Sequence, residues 1–362
     1  MPENKNQHFV PKALLKPFTE ECRGKSIDML LLKFGEIREG VSVSDQCSKP
    51  YFYGTDPKLE NAIQTQETYY GMARTAILDG SFPASDPDKR QFLKRFILFQ
   101  HDRTLSNVLH GTDALKQLRK GLTRLPDAQL EPMPDRRTVT QYAMQAYVDN
   151  MPMLDDLSIC FLRNRTKIDF VIGDHPAIHT NRWQLQRQKR SSFGPGHAGT
   201  IFLMPVSSRV SVMLYDGDIY AVGRAGLWLD IVKDADAEII NKLQFSNAKS
   251  AIYLSNVSDK THLNRQFADF RSSWPQELRS NTLHVGELAE ELDDFKKYTV
   301  LSDDQIPDGS ELFVHVQQQH AEPPQWPSFM RYRSNPRFVD TKSGRGFIRR
   351  HTASWHHGSE WF

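Results

Sequence analysis

Cysteine, net charge and long apolar runs are three things this sequence has little of, and each shortage removes a class of protein. The 362 residues hold three cysteines, Cys22, Cys47 and Cys160. An odd, widely spaced trio supplies neither a disulfide framework nor a cysteine-ligated zinc site, and the expected setting is a reducing cytoplasm. The net charge is only +2, so any nucleic-acid surface must come from how charge is distributed along the chain. The longest apolar stretches cover 29–32 and 96–99, far short of the ~18 residues of a membrane span, and the polar N-terminus lacks the apolar core of a signal peptide. A glycine-rich phosphate loop, a Gly-x-Ser-x-Gly elbow, a Cys-x-x-Cys pair and a His-Glu-x-x-His helix are also missing. What is there is an ordinary globular balance, 39% hydrophobic and 25% charged, in a chain long enough for two domains or one large one.

The pattern along the chain predicts an α+β fold. Pro11 opens a short helix that Pro17 ends, because a missing N–H costs nothing in a first turn and stops a helix further in. Segments 28–34 and 40–44 read as a hairpin. Helical spacing covers 57–78. It resumes at Asp86-Pro87-Asp88, where carboxylates and a proline suit a helix start, runs through Phe92, Phe96 and Phe99 to about His110, and returns over 138–151. Short apolar or alternating runs then take over at 157–163, 169–173, 201–204, 210–215 and 219–222, which predicts a sheet region. The polar, glycine-bearing 182–199 segment predicts an exposed, mobile loop. A helix over 233–250 and a strand over 251–255 follow. These readings divide the chain into a mainly helical half with an N-terminal hairpin, 1–153, a β-rich α+β half packed on it, 154–316, and a basic aromatic tail, 317–362.

Four polar groups are candidates for chemistry. In Asn6-Gln7-His8-Phe9-Val10-Pro11, His8 exchanges a proton near neutrality, and Gln7 is placed to orient a substrate or fix the imidazole tautomer. A half-buried histidine satisfied by backbone carbonyls beneath the first helix is the plainer alternative. If one helix continues to His110, Gln100, Arg103, Asn107 and His110 recur at spacings of three and four and share a stripe. Such an arginine stabilises a developing phosphorane charge while the histidine moves a proton, and the Arg103–His110 spacing resembles the Arg–His motif of helical ribonucleases of the HEPN type. A solvated helix face has the same pattern. Asp174-His175-Pro176 should emerge at a strand end, where Asp174 orients His8 or a water, or joins His175 and His179 around a divalent metal. A turn-forming aspartate before proline is the alternative. Glu60 and Glu67 lie about 10 Å apart on one helix face, too far to share a proton, and Glu67 is expected as a buried partner of Arg103.

The tail interleaves arginines with Trp326, Phe329, Tyr332, Phe338, Phe347, Trp355, Trp361 and Phe362. Cations suit phosphate and rings suit bases, which makes Arg331, Arg333, Arg349 and Arg350 the residues expected to meet nucleic acid. The other reading packs the rings on the body and turns the arginines outward, since disordered segments seldom carry so many aromatics.

The opening motif with Leu14-Leu15 and Phe18, the Tyr51-Phe52-Tyr53 cluster, Glu60 and Glu67, Gln100-x-x-Arg103-Thr104, residues 170–176 and Met204-Pro205-Val206-Ser207 together resemble the bacterial "domain of unknown function 4238" family, over about residues 5–260. That family typically opens on Gln-His-Tyr-Val-Pro and carries Asp-Asn-Pro after a middle strand. His175 departs from it by standing where asparagine is common, and the basic tail extends beyond the shared region. The resemblance implies a common pocket around His8, Gln100, Arg103 and Asp174 and no assigned reaction. The residues themselves lead to an expectation of nuclease-like phosphodiester chemistry on nucleic acid, in a defence or toxin-like effector. His8, Arg103 and Asp174 would be catalytic, and Gln7, Gln100 and Asn107 substrate-binding. Two other readings stay open: a non-catalytic binding or sensor module for an anionic ligand or partner, and a buried polar network that only joins the two halves. No cofactor and no membrane partner is expected.

Overall fold

The computed structural model describes residues 6–125, 130–255, 258–292, 295–302, 305, 311–342 and 344–356. Trp361 and Phe362 lie outside the described residues, as does the side chain of Trp355. The fold is α+β, built around a five-stranded sheet in the order Trp228–Ile231, Ser158–Asn164, Val210–Tyr215, Ile201–Ser207 and Ile178–Thr180. The first pair is parallel and the others antiparallel. Both faces of the three inner strands are covered, which is why Ser158–Asn164, Val210–Tyr215 and Ile201–Ser207 are largely apolar runs. Phe161, Phe202, Val212 and Leu214 face the helices of the N-terminal half. Their alternates Cys160, Leu162, Leu203 and Met213 face the helices Asp234–Asn247 and Lys260–Ser273.

On the first side, the helices Pro57–Leu78 and Pro87–Asp102 begin where an aspartate and a proline predict it. Asp56 accepts from the Lys58 N–H, and Asp86 from those of Asp88 and Lys89. The two helices meet through Tyr70 stacked on Phe96, ring centroids 4.2 Å apart. The helix expected to reach His110 is in fact two. Pro87–Asp102 stops at Arg103, and Thr104, with φ −81° and ψ 158°, accepts from the Asn107 N–H to start Leu105–Leu122. A threonine oxygen that satisfies the free N–H groups of a new helix competes with continuing the old one.

A four-stranded antiparallel sheet, in the order Glu36–Ser42, Ser26–Leu31, Ala251–Leu254 and Ile172–Gly173, pairs the N-terminal hairpin with the middle of the chain. It therefore crosses the boundary expected after residue 153. The strand expected over 169–173 is only Ile172–Gly173. The 182–199 segment is not an exposed loop. Trp183, Gln184, Leu185, Phe193 and Ala198 are buried, and Arg187, Lys189, Arg190 and Ser191 are the residues it exposes. Three large apolar side chains in a polar stretch are enough to draw it onto the body.

Arg279–Leu292 pairs with both Phe295–Val300 and Leu312–His320 and lies against Leu105–Leu122. A Cβ on Gly121 would stand 2.6 Å from Val314 and 2.7 Å from Leu283, so glycine is what lets this sheet come so close. In the tail, Phe338 and Phe347 pack on Trp183 at 4.9 and 5.5 Å, and Arg331–Tyr332 pairs with Tyr220–Ala221. Among the described residues no helix is long and apolar enough to cross a membrane.

Candidate functional site

The corner between the helices Pro87–Asp102 and Leu105–Leu122 has two polar faces. On the first, Arg103 is fully buried and its guanidinium donates to the Tyr53 hydroxyl at 2.7 Å, the His8 carbonyl at 2.6 Å and Glu67 Oε1 at 2.6 Å. Its plane also lies over Phe99, 4.6 Å from the ring centroid. Burial lowers the guanidinium's pKa, but Tyr53 and Glu67 more than offset this and hold it above its ordinary value. Gln100 donates to the Phe9 carbonyl at 2.9 Å. Gln7, on the opposite face of its strand from His8, donates to the Gly54 carbonyl at 3.1 Å and accepts from the Tyr53 N–H at 2.7 Å. Gly54 has φ +101°, a region that a side chain rarely enters. Together these bonds clamp the strand Asn6–His8 and the turn at Tyr53. The expected Arg103–Glu67 pair is present, with Glu67 half-buried and not buried as expected. Three buried atoms here have no protein partner: His8 Nδ1, Gln100 Oε1 and Arg103 Nη1. His8 itself is half-buried, and burial, then Lys12, hold its imidazole below the ordinary value.

Asp174 does not join this face. Its carboxylate accepts from the backbone N–H groups of Lys249 at 2.7 Å and Ser250 at 2.9 Å, fastening the turn before the strand Ala251–Leu254. Burial still raises its pKa to about 6, against those backbone donors. The expected single pocket of His8, Gln100, Arg103 and Asp174 is thus a clamp of the first three, with Asp174 committed elsewhere. Asn107 and His110 are separated from Arg103 by the corner, so the stripe expected to hold all four residues does not form.

On the second face Asn107 meets a buried arginine from the far end of the chain. Arg279 donates to Asn107 Oδ1 at 3.1 Å, His101 Nε2 at 3.2 Å and His175 Nε2 at 2.8 Å. A guanidinium only donates, so both imidazoles must be neutral, with a lone pair at Nε2 and the proton at Nδ1. Those protons have acceptors: His101 Nδ1 lies 2.7 Å from Asp102 Oδ1, and His175 Nδ1 lies 2.6 Å from Thr104 Oγ1. Burial lowers Arg279 to about 10, opposed by Asp102. Burial and then Arg279 lower His101 and His175, and the same causes take His110 to about 4 and His320 to about 3. His179 stacks on Phe202 at 4.6 Å and meets His320 edge-on at 5.7 Å. The expectation that His175 and His179 join Asp174 around a metal fails on direction, because the three side chains turn to different partners. Among the described residues no group of three or more His, Cys, Asp or Glu side chains is placed to hold a metal ion.

The four tail arginines separate. Arg349 is 2% exposed and donates inward, to Asp156 at 3.0 Å and to the carbonyls of Met153, Pro195 and His197. It is a staple and not the surface contact expected of it, since a buried cation needs all of those acceptors. Arg350 is exposed but held by both oxygens of Asp218, at 2.8 and 3.1 Å. Arg331 and Arg333 border a cleft of about 830 Å³ with Tyr215, Arg224 and Phe329. Sequence reasoning missed Arg224 and Arg279. Arg224 lies in a turn without any motif, and Arg279 starts a strand 178 positions from His101. His101 had a signal, its place between Gln100 and Arg103.

No curated protein and no solved structure matches the chain. The residues of the clamp, and those of the second face other than Arg279 and His320, fall within 6–258, and this stretch matches the family model described as "Protein of unknown function (DUF4238)", so the chain belongs to that family.

Proposed function

We propose that this protein binds nucleic acid through the cleft bordered by Arg224, Arg331 and Arg333. One observation carries the reading: three guanidiniums line one concavity, and none has a carboxylate partner among the described residues. Arg224 spends hydrogen bonds on the Tyr215 hydroxyl and the Gly226 carbonyl, and Arg333 on the Gly217 carbonyl, which positions the forks and leaves their charge uncompensated. Arginine matches phosphate oxygens two at a time, and Phe329 beside them offers ring surface to a base. The three described cysteines are free thiols, which fits a cytoplasmic setting. A labelled trinucleotide should bind saturably, and Arg331→Gln should weaken it about tenfold or more, the worth of one hydrogen bond to a charged group. Absence of saturable binding at low salt overturns the reading.

Cleavage of a phosphodiester is a second reading, and His8 favours it. Its imidazole is kept neutral, the state a general base needs, and its buried Nδ1 has no protein partner. RNA and single-stranded DNA left intact with and without divalent metal, by the wild type as by His8→Ala, sinks that reading.

A further inference from the structure

We infer that a single strand of nucleic acid lies along a continuous basic track of which the Arg331 cleft is the middle, an inference that rests on the binding reading above. Two more clefts adjoin it. One, of about 400 Å³, is lined by Arg90, Gln91 and Lys94 from the helix Pro87–Asp102 and shares Arg224 with the middle cleft. The other, of about 530 Å³, is lined by Asn335 and Arg337 and shares Ala221 and Arg333 with it. Common walls make the three one path, running Arg90, Arg224, Arg331, Arg333, Arg337. None of these five arginines has a carboxylate partner among the described residues. Both carboxylates on the path are already taken, Asp155 by Gln91 and by Arg95 at 2.7 Å, and Asp218 by Arg350 at 2.8 Å.

Five uncompensated like charges along one path repel one another, and the ligand that relieves all of them is a polyanion with charges at intervals. A small anion reaches one or two. Phe329, half-buried on this path, presents ring surface that an unpaired base stacks on and that a duplex, with its bases already stacked inside, does not use. The track joins the helical half to the tail, so neither part carries it alone.

The test is fluorescence anisotropy of full-length protein with labelled oligouridylates of three and twelve nucleotides and a twelve-base-pair duplex. The twelve-mer should bind about tenfold or more tighter than the trimer. With about 0.7 counterions released per phosphate, five contacts predict about 100-fold weaker twelve-mer binding at 200 mM than at 50 mM salt. Arg90→Gln and Arg337→Gln should each weaken the twelve-mer and leave the trimer unchanged, whereas Arg331→Gln should weaken both. A twelve-mer that binds no tighter than the trimer, or ignores Arg90→Gln and Arg337→Gln, overturns the track and leaves the central cleft standing. Tighter binding of the duplex overturns the single strand. If neither oligouridylate binds, the cleft and the track fall together.

Discussion

Arg103 is the residue on which the N-terminal clamp turns. It brings a cation into a fully buried position, where isolation would be prohibitive, and surrounds it with a carboxylate, a phenol and a carbonyl. Removing it strands those acceptors. Arg103→Met should therefore destabilise the protein by about 3–5 kcal/mol, seen as a lowered denaturation midpoint, while trinucleotide affinity of the folded fraction stays unchanged. Arg103→Lys should recover little, because Nε and Nη2 point to different partners and an ammonium cannot span them. A lysine variant that melts like the wild type would show that charge alone suffices. Glu67 was expected as the partner of Arg103 and is, although it lies on another helix 36 positions away. Tyr53 was not legible as the third partner, because a turn brings it in from another element.

At the scale of elements, one corner does two jobs. Gln100 and Arg103 reach back to the N-terminus, while His101, Asp102, Thr104 and Asn107 reach across to Arg279 or to the imidazoles that hold it. The second face requires neutral imidazoles, which gives it a pH dependence of definite sign. His101 and His175 titrate below 6.5 when folded and near 6.5 when unfolded, so between those values the unfolded chain binds more protons. Stability is fully present above pH 6.5 and falls with falling pH. The loss approaches, and does not exceed, about 1.4 kcal/mol per pH unit for each of the two imidazoles. Hydrogen exchange should then rise first in Arg279–Leu292 and Leu312–His320. A His101→Gln, His175→Gln variant should have a flatter profile in this window, and an unchanged slope would assign the titration to other groups. The corner itself escaped sequence reasoning because Thr104 is a quieter punctuation than proline or glycine.

For the whole molecule, the stretch matching the family model, 6–258, is not the folded unit. Phe267, Phe270 and Trp274 complete the core on the second side of the central sheet, and Arg279 and His320 complete the histidine cluster. A chain ending at Ser258 should lack a cooperative melt and bind a hydrophobic dye, since it exposes that core and leaves His101 and His175 without their donor. A sharp thermal transition in this truncation would refute the point. By itself the sequence determined the α+β class, the helix Pro57–Leu78 and three strands of the central sheet, Ser158–Asn164, Ile201–Ser207 and Val210–Tyr215. Those follow from periodicity, caps and spacing, which act over a few residues. Only the tertiary structure decided that Asp174 fastens a backbone turn, that Arg349 is buried while Arg331 is exposed, and that arginines from a helix, a turn and the tail share one path. Nothing local distinguishes one arginine from another: burial and neighbours do, and chain folding brings those neighbours from more than a hundred residues away.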